Sequence, residues 1–266
     1  MMDSNTGNLQ GSNTDEEQPD RHLSDLEPSN VSNRPIPGVL VRLGLEEASL
    51  SSGTSEEQLR TALTDPTWSV RAAAVEIFGK QGEQTPLEPL LNALDDENGF
   101  VRAATVRALG KMKERVPIDR LVEALQDSEW RVRTAAALAL GALNGRAPVE
   151  PLIAALKDKD EDVSVRVAAA SALGMCKDRI AIETLANVLC DPEWRVREMA
   201  ALALAEMGEQ APKEALLNVL GDTNPSVREA VELALKQTHP TIFSALTPDI
   251  RLLSEKKVDT NLGEEE

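Results

Sequence analysis

The chain has very few of the residues that carry most enzyme chemistry. Its 266 residues include two histidines, two cysteines and no tyrosine, and aromatic residues make up 2%. Two isolated histidines, His22 and His239, cannot supply the clustered imidazoles of a transition-metal centre. Cys176 and Cys190 form no CxxC pair and have no histidine beside them, which predicts two free thiols. We therefore expect no catalytic residues, no metal and no cofactor.

Long apolar runs and a basic charge balance are also missing. No run of about 18 apolar residues occurs, and the first residues (MMDSNTGNLQ) contain neither a basic nor an apolar segment, so nothing predicts export or a membrane span. The formal net charge of −17 opposes non-specific binding to nucleic acid or anionic membrane. We expect a soluble, cytoplasmic, bacterial protein that binds neither nucleic acid nor membrane.

The chain is rich in one repeated motif that ends in Val-Arg. Six copies occur; successive arginines lie 31, 31, 33, 31 and 31 residues apart, and an aspartate stands six residues before each. Such a fixed period predicts a stack of similar units, each burying its apolar face only against its neighbours. The pairs are Asp65 and Arg71, Asp96 and Arg102, Asp127 and Arg133, Asp160 and Arg166, Asp191 and Arg197, and Asp222 and Arg228.

Each unit contains two helical patterns and no strand pattern. In the first, apolar residues recur on one helix face, as at Leu90, Leu91 and Leu94. The second begins just before the Val-Arg pair. In four units it ends near a glycine, which we interpret as the left-handed residue that closes a helix; these are Gly79, Gly110, Gly141 and Gly174.

The period also divides the chain into segments, because terminal units of a stack need caps and polar, aperiodic ends predict disorder. We expect a disordered acidic tail at 1–34, an N-terminal cap helix at 35–53, the repeat solenoid at 54–238, a C-terminal cap segment at 239–255 and a disordered acidic tail at 256–266.

The fourth unit departs from the pattern in the turn between its helices. This turn carries two extra residues and the acids Asp158, Asp160, Glu161 and Asp162, without the glycine and spacing of an EF-hand loop. We expect a solvated loop there and no cation site.

The repeated run LxxALxDxxxxVRxxAxxALG, as in residues 121–141 (LVEALQDSEWRVRTAAALALG), resembles the short HEAT-like repeat named after phycobilisome lyases. The resemblance covers about residues 55–238. It implies an all-α, right-handed α-solenoid of about six helix–turn–helix repeats with short terminal caps, whose second helices line the concave side. It also implies that the six Asp/Arg pairs form a structural ladder between neighbouring units.

The resemblance leaves two functions open. Repeat stacks usually bind other proteins, so we expect a monomeric, non-enzymatic scaffold or adaptor for a protein partner. The alternative is a phycobilin lyase, or a chaperone-like factor, acting on a phycobiliprotein-type partner, because such lyases use this repeat. Hydroxylases of the same fold hold two irons with His-Glu pairs, and this sequence contains no His-Glu pair.

Two surfaces are candidates for the partner. Residues one, five and nine positions after each arginine share one face of the second helix and vary between units; we call this face the stripe. Its charge changes from basic through apolar to acidic along the chain. The expected partner-binding residues on it are Arg107, Lys111, Leu138, Met175, Glu198, Leu202 and Glu206.

The alternative surface is the edge of the stack. Tryptophans stand three residues before the arginine in alternate units, where they either cover the turn or, about 20 Å apart, anchor an extended partner. Arginine follows two of them. The residues of this edge site are Trp68, Trp130 with Arg131, and Trp194 with Arg195.

Overall fold

The computed structural model describes residues 55–143, 145–159 and 161–246. The predictions for the N-terminal tail, the N-terminal cap helix, Asp160 and the acidic tail at 256–266 lie outside the described residues. Twelve α-helices of the described part form six consecutive pairs: α1 Glu56–Ala62, α2 Trp68–Gln81, α3 Leu87–Ala93, α4 Gly99–Gly110, α5 Ile118–Ala124, α6 Trp130–Gly141, α7 Glu150–Lys157, α8 Val163–Cys176, α9 Ile180–Val188, α10 Trp194–Glu206, α11 Lys213–Asn218 and α12 Pro225–Thr238.

The helices stack by their second members. Each even-numbered helix packs against the even-numbered helices before and after it, and each odd-numbered helix packs against the second helix of its own unit. The described residues contain no strand, and after α12 residues 240–246 are again helical. The predicted all-α solenoid of paired helices is confirmed.

One leucine from each first helix supports this stacking. It lies at the same place in every unit and is completely buried, and a second buried apolar residue from each second helix packs with it. Burial of such a side chain contributes about 1.5–3 kcal/mol, so the core is a continuous row built from identical contributions. The first-helix leucines are Leu59, Leu90, Leu121, Leu152, Leu185 and Leu216.

The four repeated glycines lie at or near the ends of the second helices, as predicted, but none of them is left-handed. Gly110 and Gly141 are the last residues of their helices, and the glycines with positive φ in the described residues are Gly82, Gly145 and Gly208. The reason is packing: a Cβ on Gly141 would lie 2.7 Å from Cα and 2.8 Å from Cβ of Ala172 in the next second helix. The same glycine-to-alanine contact occurs at Gly79, Gly110 and Gly174. Glycine is therefore required for close approach of neighbouring helices.

No helix in the described ranges combines the length and the apolar character needed to cross a lipid bilayer.

Candidate protein-binding surfaces

The arginine that opens each second helix joins two units. Arg71 donates from Nε and Nη2 to the two carboxylate oxygens of Asp96 in the next unit, at 2.7 and 2.9 Å. It also donates from Nη1 to the backbone carbonyl of Asp65 in its own unit, at 2.8 Å. A guanidinium is suited to this because its fork can bind one carboxylate bidentately and still satisfy a carbonyl at a helix end.

The partners of the ladder are therefore offset by one unit from the pairs expected. In four units the aspartate carboxylate accepts from the preceding unit's arginine and from a backbone N–H of its own turn, as Asp96 does from Asn98 at 2.8 Å. The arginine of the same unit lies instead over backbone carbonyls. We call these contacts the seam, and its ion pairs are Arg71 with Asp96, Arg102 with Asp127, Arg133 with Glu161, Arg166 with Asp191, and Arg197 with Asp222.

Glu161 takes the aspartate's place in the fourth unit. Its carboxylate accepts from Nε and Nη2 of Arg133 at 2.9 and 2.7 Å, and its Oε1 also accepts from the backbone N–H of Asp162 at 2.7 Å. The glutamate side chain is only 12% exposed, so this part of the turn is not the solvated loop that was expected. The two inserted residues displace the turn, and the longer side chain restores both bonds.

The seam also changes the proton affinity of its groups. Burial alone would raise the pKa of Asp96 and of Asp127, but hydrogen bonds from the preceding arginine and from the turn N–H outweigh it and lower both values. The hydrogen bond from Arg197, against the opposing effect of burial, lowers the pKa of Asp222. The carboxylates therefore stay ionised well into acid.

The stripe carries exposed apolar side chains at its middle. Leu138 is 38% exposed and Met175 43% exposed, and the Met175 sulfur lies beside Gly141 of the preceding unit. Leu202 is half-buried. Leu233, at the matching position of the last unit, is also exposed, although sequence analysis did not select it.

Charged residues lie toward the two ends of the stripe. Arg107 and Lys111 are exposed near its N-terminal end. Burial lowers the pKa of the Arg107 guanidinium, while the charge of Glu76 opposes the shift. At the other end, Glu206 is exposed and lies 3.3 Å from Lys177.

Glu198 differs from the other acidic residues of the stripe. It is only 8% exposed, and its Oε2 has no hydrogen-bond partner. Burial, followed by the charge of Glu229 on α12, raises the pKa of its carboxyl group, and Arg195 opposes this. Thr134, in the equivalent place on α6, likewise has a buried hydroxyl without a partner.

The edge residues form a stack that includes one residue sequence analysis missed. The rings of Trp68 and Phe100 stack with centroids 5.2 Å apart, and the Arg131 guanidinium lies 5.0 Å from the Phe100 ring and 4.4 Å from the Trp130 ring. Phe100 stands two residues before the arginine of its unit, whereas the tryptophans stand three residues before theirs. The repeat pattern therefore does not group it with the tryptophans. These four residues form one continuous edge stack.

The third tryptophan, Trp194, is less exposed than Trp68. Trp194 is half-buried and packs against the core, with the Arg195 guanidinium 4.9 Å from its ring. Of the edge aromatics, Trp68 and Phe100 are 43% and 49% exposed.

No group of three or more His, Cys, Asp or Glu side chains within the described ranges is placed to hold a metal ion. Two shallow clefts lie on the first-helix side. The cleft between α3 and α5 has a volume of about 130 Å³ and includes Asp95, Arg120 and Glu123, and the other is lined by residues of α1 and α3. Both lie away from the stripe.

Comparisons with known proteins agree with this geometry. A search of curated protein sequences finds no match. Among solved structures, the complex of CpcE and CpcF of phycocyanin lyase from Nostoc sp. PCC7120 is similar, with a TM-score of 0.52 and 27% identity over 72% of this chain and 80% of that chain. YibA of Escherichia coli has a TM-score of 0.55 and 22% identity over 76% of each chain.

A designed armadillo repeat protein in complex with the peptide (KR)4 has a TM-score of 0.51 and 20% identity, over 70% of this chain and all of that chain. The last two likenesses concern the fold alone. The family of HEAT repeats matches residues 56–141, 88–164 and 149–236, which together span the six units. The chain belongs to the HEAT repeat family.

Proposed function

We propose that the chain is a non-enzymatic scaffold or adaptor that binds a protein partner along the stripe. The observation that carries the proposal is the position of the exposed apolar side chains. Of the large apolar side chains exposed in the described residues, Leu138, Met175 and Leu233 lie on the stripe and Trp68 and Phe100 in the edge stack, which leaves only Ile180 elsewhere. Aligned apolar side chains with charged neighbours are typical of protein-binding surfaces.

The charges along the stripe give the partner a direction. Arg107 and Lys111 precede the apolar centre, and Glu198 and Glu206 follow it. A partner segment with acidic residues at one end, apolar residues in the middle and basic residues at the other matches this order. Complementary charge sets the orientation of such a complex more than its affinity.

The test compares three substitutions after the partner has been captured, identified and purified. Leu138→Glu puts a charge into the centre of the contact, so we expect association weaker by about 2 kcal/mol or more. Ile180→Glu is the matched control, because Ile180 is 60% exposed and lies on a first helix away from the stripe. We expect a change of less than about 0.5 kcal/mol for it. Calorimetry measures both, and circular dichroism checks that each variant stays helical.

Trp130→Ala tests the edge stack in the same series and should cost less than Leu138→Glu. If the Trp130 variant loses binding while the Leu138 variant keeps it, the partner lies along the edge and the assignment to the stripe is wrong.

A second candidate function is bilin attachment or a chaperone-like role on a phycobiliprotein-type partner. Its support is the 27% identity to the CpcE and CpcF complex of phycocyanin lyase. The assay mixes the chain with a bilin and an apo-phycobiliprotein and follows covalent chromophore by absorbance. Attachment that depends on the chain would replace the scaffold proposal with this one, whereas the scaffold proposal expects none.

A further inference from the structure

Two glutamates occupy the same position in adjacent units at the acidic end of the stripe. Glu198 on α10 and Glu229 on α12 each follow the unit's arginine directly, and these two helices pack against each other. The four earlier units have no charge at this position, where the residues are Ala72, Ala103, Thr134 and Val167. The paired carboxylates are therefore a local feature rather than part of the repeat.

Glu198 is in an unfavourable state in the free protein. It is 8% exposed, and its Oε2 accepts no hydrogen bond. The nearby charge of Glu229 adds repulsion, and together with burial it raises the pKa of Glu198. Leaving a buried carboxylate oxygen without a donor is costly, and such atoms in native proteins need an explanation.

The two arginines beside Glu198 on α10 both have other contacts, and Arg197 binds Asp222 across the seam. The guanidinium of Arg195 lies 4.9 Å from the Trp194 ring, and its Nη1 is 4.0 Å from Glu193. Arg195 lowers the pKa of Glu198 less than burial and Glu229 raise it. The second glutamate, Glu229, is exposed. One carboxylate of the pair is thus open to solvent and the other lacks a hydrogen-bond donor at Oε2.

An apolar surface continues from the pair along both helices. Leu202 and Leu233 follow Glu198 and Glu229 by four residues, which places them one turn further on the same face. Leu202 is half-buried and Leu233 is exposed. Two carboxylates beside two leucines match a side chain with an aliphatic stem and a cationic head, because arginine and lysine bury their stems on apolar surface while the head binds an anion.

We propose that Glu198 and Glu229, with Leu202 and Leu233, form a binding site for one arginine or lysine side chain of the protein partner. The head group would donate to the carboxylate of Glu198 and neutralise the repulsion from Glu229, and the stem would lie on the leucines. This inference deepens the proposed function and rests on it, because it specifies which residue the partner places at the acidic end.

The experiment uses the full chain and a blocked alanine–leucine peptide with one central arginine as the probe. The control peptide has citrulline in place of arginine, which keeps the shape and removes the charge. We expect the arginine peptide to bind about tenfold more tightly, equivalent to about 1.4 kcal/mol. Methyl NMR should show shifts at Leu202 and Leu233. Equal affinities, no measurable binding, or shifts elsewhere would overturn the proposal.

Charge-neutral variants locate the effect on the protein. Glu198→Gln and Glu229→Gln should each remove most of the preference for arginine over citrulline, whereas Glu214→Gln, an exposed change on α11 away from the stripe, should keep it. In the free protein, Glu198→Gln should unfold at the same temperature as the parent or higher. A lower unfolding temperature would mean that Glu198 has a structural role, and the proposal would fail.

Failure of the cation site and failure of the scaffold proposal give different results in these experiments. If Leu138→Glu leaves binding of the purified partner intact while the arginine peptide still binds at Glu198, the contact at the apolar centre of the stripe is wrong and the cation site at its acidic end stands. If Leu138→Glu abolishes partner binding and the peptide shows no preference, the stripe stands and the cation site is wrong.

Discussion

The seam and the stripe lie on the same second helices but treat their polar groups in opposite ways. At the seam, Arg102 makes two bonds to Asp127 in the next unit and two to backbone carbonyls in its own unit. On the stripe, Glu198 and Thr134 each keep a buried oxygen without a hydrogen-bond partner. The third such atom in the described residues is Nε of Arg166 at the seam, whose Nη1 donates to Asp191. The seam therefore satisfies most of its polar groups within the stack, and the stripe has unused hydrogen-bonding capacity at Glu198 and Thr134.

We infer from this difference that the seam residues maintain the stack, and we propose that the stripe residues are available to another molecule. The seam repeats in each unit because every pair of neighbours needs the same contacts. The stripe varies from charged at Arg107 to apolar at Leu138 and acidic at Glu198. Ion pairs repeated between units indicate a role in stability, and the variable stripe is the surface on which we propose that recognition occurs.

The largest expected change in stability comes from removing a seam arginine. Arg133→Ala leaves the Glu161 carboxylate without its bidentate partner, and leaves the carbonyls of Asp127 and Ser128 without the donors that lie at 2.6 and 3.0 Å. We expect a loss of about 2–4 kcal/mol in the free energy of unfolding, measured by urea denaturation.

Arg228→Ala is the control for that measurement. Arg228 donates to the carbonyls of Asp222 and Thr223 at 2.8 and 3.1 Å, and no seventh Val-Arg unit follows it in the sequence. Its loss should therefore cost less, about 1 kcal/mol. Equal and negligible shifts of the urea midpoint for both variants would refute the structural role of the seam.

A smaller effect tests the close approach of second helices beneath the stripe. Gly141→Ala gains helix propensity but places a methyl group 2.7 Å from Cα of Ala172, so the neighbouring unit must move. We expect a net loss of about 1–2 kcal/mol by thermal unfolding. Gly221→Ala is the matched control, since nothing lies within 4 Å of its added Cβ. A Gly141 variant as stable as the Gly221 variant would show that the contact is not tight.

The smallest effect is the pH dependence of the free energy of unfolding, which has opposite signs for the seam and for the stripe. The pKa of Asp127 is lowered at the seam, so the unfolded chain binds more protons there and stability falls as pH decreases below the ordinary aspartate pKa of about 3.9. The pKa of Glu198 is raised, so its contribution is present below the ordinary glutamate pKa of about 4.3 and is lost as pH rises through its folded value.

Urea titrations from about pH 3 to about pH 7 measure both slopes. Asp127→Asn should reduce the loss of unfolding free energy at acid pH. Glu198→Gln should remove the decrease in unfolding free energy as the pH rises. If both substitutions changed the curve in the same direction, the seam and the stripe would not differ electrostatically as described.

The sequence by itself determined the helix pairs and their number, because the apolar period within each unit and the 31-residue spacing are local properties of the chain. It also identified the arginines of the seam and four of its acids, Asp96, Asp127, Asp191 and Asp222, but not Glu161. The role of Gly141 was misread, since glycine near a helix end is compatible both with a left-handed cap and with a close helix contact. Only the neighbouring Ala172, one unit away, distinguishes them.

Tertiary structure decided everything that depends on how one unit lies against the next. The position of each unit against the next pairs Arg71 with Asp96 of the following unit rather than with Asp65 of its own. It also places Glu161, in the turn with two extra residues, against Arg133. It also places Phe100 against Trp68, although they occupy different positions in their repeats. The burial of Glu198 has the same origin. The sequence repeat specifies that helices stack, but the contacts between neighbouring units depend on the side-chain volumes of both units.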